Sequence, residues 1–67
     1  MGVVVSVVVV ARNEERHIAS CLESVLAQDY PRDQYEVIVV DGGSTDRTAH
    51  IARQHPVTVV VSERAVI

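Results

Sequence analysis

The chain has no lysine, phenylalanine or tryptophan and only one cysteine, Cys21. Its six basic residues are arginines scattered along 67 residues, and the formal net charge is −3. Nucleic-acid binding needs a basic patch or stripe, so we expect no nucleic-acid partner. A single cysteine also excludes an internal disulfide, and Cys21 is predicted to be a small core residue.

The start of the chain lacks both a long hydrophobic run and a basic leader. The apolar stretch that follows Met1 ends at Arg12, and no positively charged side chain precedes it. A membrane-spanning helix needs about 20 apolar residues, and a signal peptide begins with positive charge. We therefore expect a cytoplasmic protein, with any attachment to the cytoplasmic face of a membrane made by residues outside this chain.

Two common nucleotide-binding motifs are absent. The chain has three glycines and contains neither G-x-G-x-x-G nor G-x-x-x-x-G-K-[ST]. This excludes the fingerprint of Rossmann dehydrogenases and the P-loop of NTPases. His17 and Cys21 are four residues apart on one predicted helix, but no further ligands follow at the spacing of a metal site. We expect no metal ion in this segment.

Valine dominates what the chain does contain. Val3 to Val10 is an apolar run interrupted only by Ser6, which predicts a strand buried on both faces. Such a strand implies a parallel sheet with helices on both sides. Glu36 to Val40 and Val57 to Val61 predict a second and a third strand.

Two helices are predicted between these strands. The first carries one apolar stripe at helical spacing, formed by Ile18, Cys21, Leu22, Val25 and Leu26. Asn13 is predicted to cap this helix, and the turn residues of Gln28 to Gln34 to end it. The second helix is predicted over Thr45 to Gln54, with Ser44 as its cap and Pro56 halting it.

The order β-α-β-α-β predicts an α/β fold, a Rossmann-like half of a doubly wound sheet. Right-handed crossovers place its three parallel strands in the spatial order 3-2-1. The first strand then lies at an edge, although Val3 to Val10 has neither the charges nor the proline that protect natural edge strands. We expect the chain to self-associate through this strand.

The candidate binding residues follow the first two strands. In open parallel sheets, ligands bind outside the carboxyl ends of the strands, which here carry Val10 to Glu14 and Asp41 to Asp46. The Asp41 carboxylate could accept a hydrogen bond from the imide N–H of a base or from a ribose hydroxyl. Gly42 and Gly43 let the backbone come close to a ligand. This combination suits a nucleoside.

The same residues also have simpler structural roles. Asp41 and Asp46 are of a type common at turns and helix starts, and Glu14 suits the positive end of a helix dipole. Ser44 and Thr45 would cap the second helix, with phosphate binding at that helix N-terminus as the alternative. From the residues alone, the choice between these roles and ligand binding stays open.

Three segments stand in order along the chain: Val-Ser-Val-Val-Val-Val-Ala-Arg-Asn-Glu-Glu, Leu-Glu-Ser-Val-Leu-Ala-Gln-Asp-Tyr-Pro and Glu-Val-Ile-Val-Val-Asp-Gly-Gly-Ser-Thr-Asp-Arg-Thr. Together they resemble the opening of family 2 glycosyltransferases of the GT-A fold. The similarity extends to about Val61, and three motifs in the right order and spacing are far more specific than one.

The resemblance implies a nucleotide-sugar donor of the uridine type, bound at the strand ends. It implies that Asp41 reads the polar edge of the base, within a nucleotide-binding set of Ala11, Arg12, Glu14, Asp41, Gly42 and Gly43. The usual family form of the second motif is Asp-Asp-Gly-Ser, whereas Asp41 is followed here by Gly42. Which of the two acids of the family motif Asp41 corresponds to stays open.

The resemblance also implies parts that residues 1–67 lack. The family's metal-binding D-x-D motif and catalytic Asp are expected beyond residue 67, so this segment is an incomplete domain without catalytic residues. Mg²⁺ or Mn²⁺ is expected only in the full-length enzyme. The implied reaction moves a sugar to a glycan or lipid acceptor in polysaccharide or glycolipid synthesis, with the segment alone inactive. The alternative is a small non-catalytic α/β nucleotide-binding or interaction module.

Overall fold

The computed structural model describes residues 5–62. Along the chain it contains the strand β1 at Val5–Ala11, the helix α1 at Ile18–Leu26, the strand β2 at Tyr35–Asp41, the helix α2 at Thr48–Ala52 and the strand β3 at Thr58–Val61. A 3₁₀ turn precedes β2. No helix within residues 5–62 is long and apolar enough to cross a membrane.

The strands form one parallel sheet in the order β1-β2-β3. Valine is frequent in all three strands because its branched side chain packs well on a pleated surface. The register pairs Ala11 with Asp41 and Asp41 with Val61, so the strands end at the same edge of the sheet. The predicted α/β class and the predicted strand order are confirmed.

The core lies between one face of the sheet and the two helices. Its buried apolar residues are Ala11, Ile18, Leu22, Tyr35, Val37, Val39 and Ala52. The stripe predicted for α1 reaches the sheet through Ile18 and Leu22. Cys21, predicted to lie in the core, is exposed, because a three-stranded sheet and one neighbouring helix cover only part of the stripe.

The prediction that helices cover both faces of the sheet is wrong. The two connections step across the sheet in the same direction, and right-handed crossovers then place both helices on one face. α1 and α2 accordingly contact each other. On the opposite face, Val8 is 56% exposed and Val10 is 48% exposed. β1 is therefore not buried on both faces, although its valine run predicted that it would be.

The helix α1 begins later than predicted, and Asn13 does not cap it. The φ of Asn13 is 53°, a left-handed value that asparagine tolerates better than most residues. The Glu14 carbonyl accepts backbone hydrogen bonds from His17 at 2.9 Å and from Ile18 at 2.8 Å, which forms a turn ahead of the helix. The connection from β1 to α1 is thus an ordered loop of several residues.

The helix α2 is also shorter than predicted, covering Thr48–Ala52 instead of Thr45 to Gln54. Ser44 does not cap it, because the Ser44 hydroxyl bonds to the Asp41 side chain. The Asp46 carboxylate instead accepts the Thr48 N–H at 3.0 Å, at the entrance of the helix. Short polar side chains in succession can form several local hydrogen-bonding arrangements. Contacts from the loop after β1 and from Asp41 at the end of β2 select this one.

The strand ends also differ from the prediction. β1 continues through Ala11 and β2 through Asp41, while β3 begins at Thr58. Val3 and Val4, predicted to belong to the first strand, lie outside the described residues. Ala11 and Asp41 are therefore strand residues, held by the pairing of the sheet.

Candidate functional site

The carboxyl ends of β1 and β2 meet at one point of the sheet edge. Ala11 and Asp41 are buried register partners, and the Gly42 N–H donates to the Ala11 carbonyl at 2.8 Å. Gly43 then turns the chain with a φ of 82°, a left-handed value that favours glycine. The structure thus brings together four of the predicted nucleotide-binding residues: Ala11, Asp41, Gly42 and Gly43.

The Asp41 carboxylate has two unequal oxygens. The residue is 2% exposed, and the Ser44 hydroxyl donates a hydrogen bond to Oδ1. Oδ2 accepts no hydrogen bond from residues 5–62. No side-chain oxygen or nitrogen in the described part of the chain is both fully buried and without a partner. The end of β2 therefore carries a buried carboxylate, one oxygen of which is bonded to Ser44.

Asn13 joins the loops that leave β1 and β2. Its backbone N–H donates to Ser44 Oγ at 2.8 Å, and its side-chain Oδ1 accepts the Thr45 N–H at 2.9 Å. These bonds connect residues that are 31 and 32 positions apart in the sequence. The two loops are therefore held as one unit around the end of β2.

A second group of hydrogen bonds is centred on Thr48, which is fully buried. Its hydroxyl accepts the Glu14 N–H at 2.8 Å and donates to Asp46 Oδ1. Asp46 Oδ2 also accepts the Glu15 N–H at 3.3 Å. Intrahelical bonding leaves the first backbone N–H groups of a helix without acceptors. Here the backbone N–H groups at the entrances of both helices bond to side-chain acceptors.

These contacts shift the titration of Asp46. The Thr48 hydroxyl and the backbone N–H groups of Thr48 and Glu15 stabilise the charged carboxylate and lower the pKa of Asp46 below its ordinary value of 3.8. Desolvation opposes this effect but does not reverse it. Asp46 is therefore ionised at neutral pH and holds the loop before α1 against the loop before α2.

Arg12 and Glu14, the other two predicted nucleotide-binding residues, lie on the loop between β1 and α1 and have exposed side chains. Glu14 Oε1 is 3.6 Å from His17 Nδ1. No hydrogen bond or ion pair among residues 5–62 connects either side chain to Asp41. The side chains of Arg12 and Glu14 therefore flank the strand end without bonding to Asp41, although the Glu14 backbone N–H bonds to Thr48.

The described residues contain no cluster of metal-ligating side chains. Within residues 5–62, no group of three or more His, Cys, Asp and Glu side chains lies close enough to hold one. His17, which directly precedes α1, and Cys21, within α1, are both exposed.

Sequence reasoning missed the roles of Asn13, Ser44 and Thr48. Helix capping was the expectation for Asn13 and Ser44. A usable signal was present, since an asparagine follows one strand and three hydroxyl residues follow the next strand. Adjacent parallel strands bring such loops together at one edge, where they can form hydrogen bonds with each other.

The sequence model described as "Glycosyl transferase family 2" matches residues 6–66, which include both loops of the site. The glycosyltransferase AglE of Haloferax volcanii is 52% identical over 50 residues, covering 75% of this chain and 16% of that protein. The 4,4'-diaponeurosporenoate glycosyltransferase of Staphylococcus aureus is 46% identical over 55 residues, covering 82% of this chain and 14% of that protein.

A solved structure also superimposes on the chain. The mannosyltransferase PcManGT from Pyrobaculum calidifontis, in complex with GDP-Man and Mn²⁺, matches with a TM-score of 0.88 at 36% identity. The match covers 100% of this chain and 21% of that one. The chain therefore spans only about a fifth of the length of this neighbour, and less of the two sequence relatives.

Proposed function

The chain belongs to glycosyl transferase family 2, and from this premise we propose that it is the donor-nucleotide-binding segment of a longer enzyme. The enzyme transfers a sugar from a UDP-sugar to a glycan or lipid acceptor, in polysaccharide or glycolipid synthesis. It acts in the cytoplasm or at the cytoplasmic face of a membrane. The segment by itself binds the nucleoside and does not catalyse the transfer.

The observation that carries this proposal is the Asp41 carboxylate at the carboxyl end of β2, where Oδ1 bonds to Ser44 and Oδ2 accepts no hydrogen bond from the described residues. Uracil has one imide N–H, at N3, which can donate to a carboxylate oxygen. A hydrogen bond to a charged group contributes about 1.5–3 kcal/mol, enough to orient a base. Gly42 and Gly43 follow Asp41 directly and have no side chains that would hold a flat ring away from this strand end.

The solved neighbour in complex with GDP-Man and Mn²⁺ supports a nucleotide-sugar donor and a divalent cation for the longer enzyme. In such a transfer, the bond between the anomeric carbon and the diphosphate oxygen breaks, and the acceptor oxygen bonds to that carbon. The acceptor proton passes to a base, and the nucleoside diphosphate leaves with the electron pair. Residues 5–62 do not fit a cation, so we assign the cation and the base to other parts of a longer protein.

Binding of UDP and uridine to the 67-residue chain, measured by calorimetry with and without Mn²⁺, tests this proposal. We expect weak and comparable affinities for both ligands, unchanged by the cation, because the segment has no group that holds the diphosphate. Asp41→Asn should weaken both affinities by about tenfold or more, since a charged acceptor is lost. Asp33→Asn, which changes an exposed acid in the 3₁₀ turn before β2, is the matched control and should have no effect.

Tight UDP binding that depends on Mn²⁺ would contradict the proposal that other parts of the enzyme hold the cation and the diphosphate. If neither UDP nor uridine binds, the nucleotide-binding function fails, and a non-catalytic interaction module becomes the better reading. Equal effects of Asp41→Asn and Asp33→Asn would show that Asp41 is not the residue that reads the base.

A further inference from the structure

Gly42 and Gly43 form a glycine pair between two fixed parts of the chain. Asp41, before the pair, is held by its register pairing with Ala11, and the Gly42 N–H donates to the Ala11 carbonyl at 2.8 Å. Glycine has more backbone freedom than any other residue and loses more of it when it is fixed. The arrangement of the glycine pair therefore depends on what holds the residues that follow it.

Asn13 holds those residues from the loop after β1. Its backbone N–H donates to Ser44 Oγ at 2.8 Å, and its side-chain Oδ1 accepts the Thr45 N–H at 2.9 Å and the Thr45 hydroxyl at 3.4 Å. One residue thus fastens both positions that directly follow the glycine pair. Its sequence neighbours, Arg12 and Glu14, belong to the same predicted nucleotide-binding set as the glycines.

Asn13 combines two properties that few residue types have together. Its φ of 53° is left-handed, a conformation that glycine, asparagine and aspartate adopt more readily than other residues. Its side chain also places an acceptor oxygen against Thr45. Glycine at this position would keep the first property and lose the second, whereas aspartate would keep both. The two properties can therefore be separated by substitution.

We propose that Asn13 is a positioning residue for nucleoside binding, which holds the loop after β2 in its binding arrangement before a ligand arrives. When only a fraction of the free molecules has that arrangement, the measured affinity is reduced by the same fraction. A ligand that meets an ordered loop does not have to offset the entropy of ordering it. This inference rests on the proposed function, because it requires the nucleoside to bind at these loops. Asn13 acts through Ser44 and Thr45 and not by contact with the nucleoside.

The test is the affinity for uridine, measured by NMR chemical-shift titration of the labelled 67-residue chain. Uridine is uncharged, so a new charge at position 13 has little direct effect on it. Asn13→Gly should weaken binding by about fivefold, the scale of one neutral hydrogen bond. Asn13→Asp, which keeps the acceptor oxygen, should recover most of this loss. Gln28→Gly, in the exposed loop after α1, is the matched control for added backbone freedom and should leave the affinity unchanged.

A second measurement separates positioning from a general loss of stability. NMR relaxation of the backbone amides should show the glycine pair as rigid in the free unchanged chain and as mobile in free Asn13→Gly. In Asn13→Gly saturated with uridine, the pair should be rigid again, because the ligand then has to order it. A role in stability alone would leave the order of the glycine pair the same in both folded chains.

Equal uridine affinities of Asn13→Gly and the unchanged chain, with binding lost in Asp41→Asn, overturn the role of Asn13 and leave the proposed function intact. A loss in Asn13→Asp as large as that in Asn13→Gly also overturns it, because the acceptor oxygen would then not matter. An unchanged chain that does not bind uridine overturns the proposed function together with this inference.

Far-UV circular dichroism checks the fold of each variant. If Asn13→Gly does not fold, the relaxation measurement on the unchanged chain decides. A glycine pair that is rigid both without and with uridine supports the proposal, and a pair that is mobile without uridine and ordered with it overturns the proposal.

Discussion

Asp41, the last residue of β2, and Asp46, on the loop that follows, are five residues apart and have different roles. Asp41 is buried at the strand end, and only one of its carboxylate oxygens accepts a hydrogen bond from the described residues. Both oxygens of Asp46 accept hydrogen bonds from Thr48 or Glu15, so this carboxylate is used in holding the loops together. The chemistry of the residue type is the same, and the local contacts decide which carboxylate can bind a ligand.

Asp46 makes the stability of the segment depend on pH. Its folded pKa lies below 3.8, so the unfolded chain binds the proton more readily. The stabilisation is therefore fully present above the unfolded pKa and is lost as the pH falls through the folded pKa. Urea unfolding at several values between about pH 5 and pH 3 should show stability falling with acid, and Asp46→Asn should reduce this fall.

Asp29→Asn, which changes an exposed acid between α1 and the 3₁₀ turn, is the control for that experiment and should keep the acid sensitivity of the unchanged chain. An identical pH profile for Asp46→Asn and the unchanged chain would mean that Asp46 contributes nothing to the acid response. The loss of stability in acid would then have to be assigned to other carboxylates.

At the scale of elements, α1 contributes to the core through a narrow part of its apolar stripe. Leu22 is fully buried against the sheet, whereas Leu26, one turn later, is partly exposed. The cost of removing a leucine side chain depends on how much buried surface and cavity it leaves behind. The two leucines of this helix therefore offer a matched comparison.

Leu22→Ala should destabilise the segment by about 2–5 kcal/mol, as expected for a fully buried leucine. A chain of this size buries only about 60% of its unfolded surface, so this loss should leave much of it unfolded. Leu26→Ala should cost clearly less. Equal losses for the two variants, measured by chemical unfolding, would show that α1 does not pack on the sheet in the way described.

At the scale of the whole molecule, the sheet has one covered and one open face. Val8, Val10 and Val60 are exposed on the open face, and β1 has no neighbour on its outer side among the described strands. An edge strand of high β-propensity without charged residues is prone to pair with another chain. Self-association through the first strand therefore stays a prediction, now with a defined surface.

Sedimentation at micromolar concentration should find the 67-residue chain as a dimer or a larger assembly. Val8→Lys should shift it towards monomer, because Val8 is 56% exposed and a lysine there can keep its charge in water. Val7→Lys is the contrasting variant, since Val7 packs against the core and a charge there should unfold the segment. A monodisperse, cooperatively folded monomer for the unchanged chain would refute the prediction.

The sequence by itself determined the elements, their order and their pairing. Three valine-rich runs separated by helical patterns specify a parallel β-α-β-α-β unit, because side-chain branching and hydrophobic period are local properties. The sequence also predicted Asp41 as a candidate binding residue, because ligands bind outside the carboxyl ends of parallel strands.

Only the tertiary structure decided which faces are covered and which polar groups pair. The valine run of β1 is compatible with one buried face or two, and the choice depends on the direction of the crossovers, which is a property of the whole sheet. Hydrogen bonds join Asn13 to Ser44 and Glu14 to Thr48, more than thirty positions away, and Ser44 also bonds to nearby Asp41. The local sequence around these residues suits helix caps equally well. Hydrogen-bonding groups with several possible partners are assigned only when the strands bring two loops to the same edge.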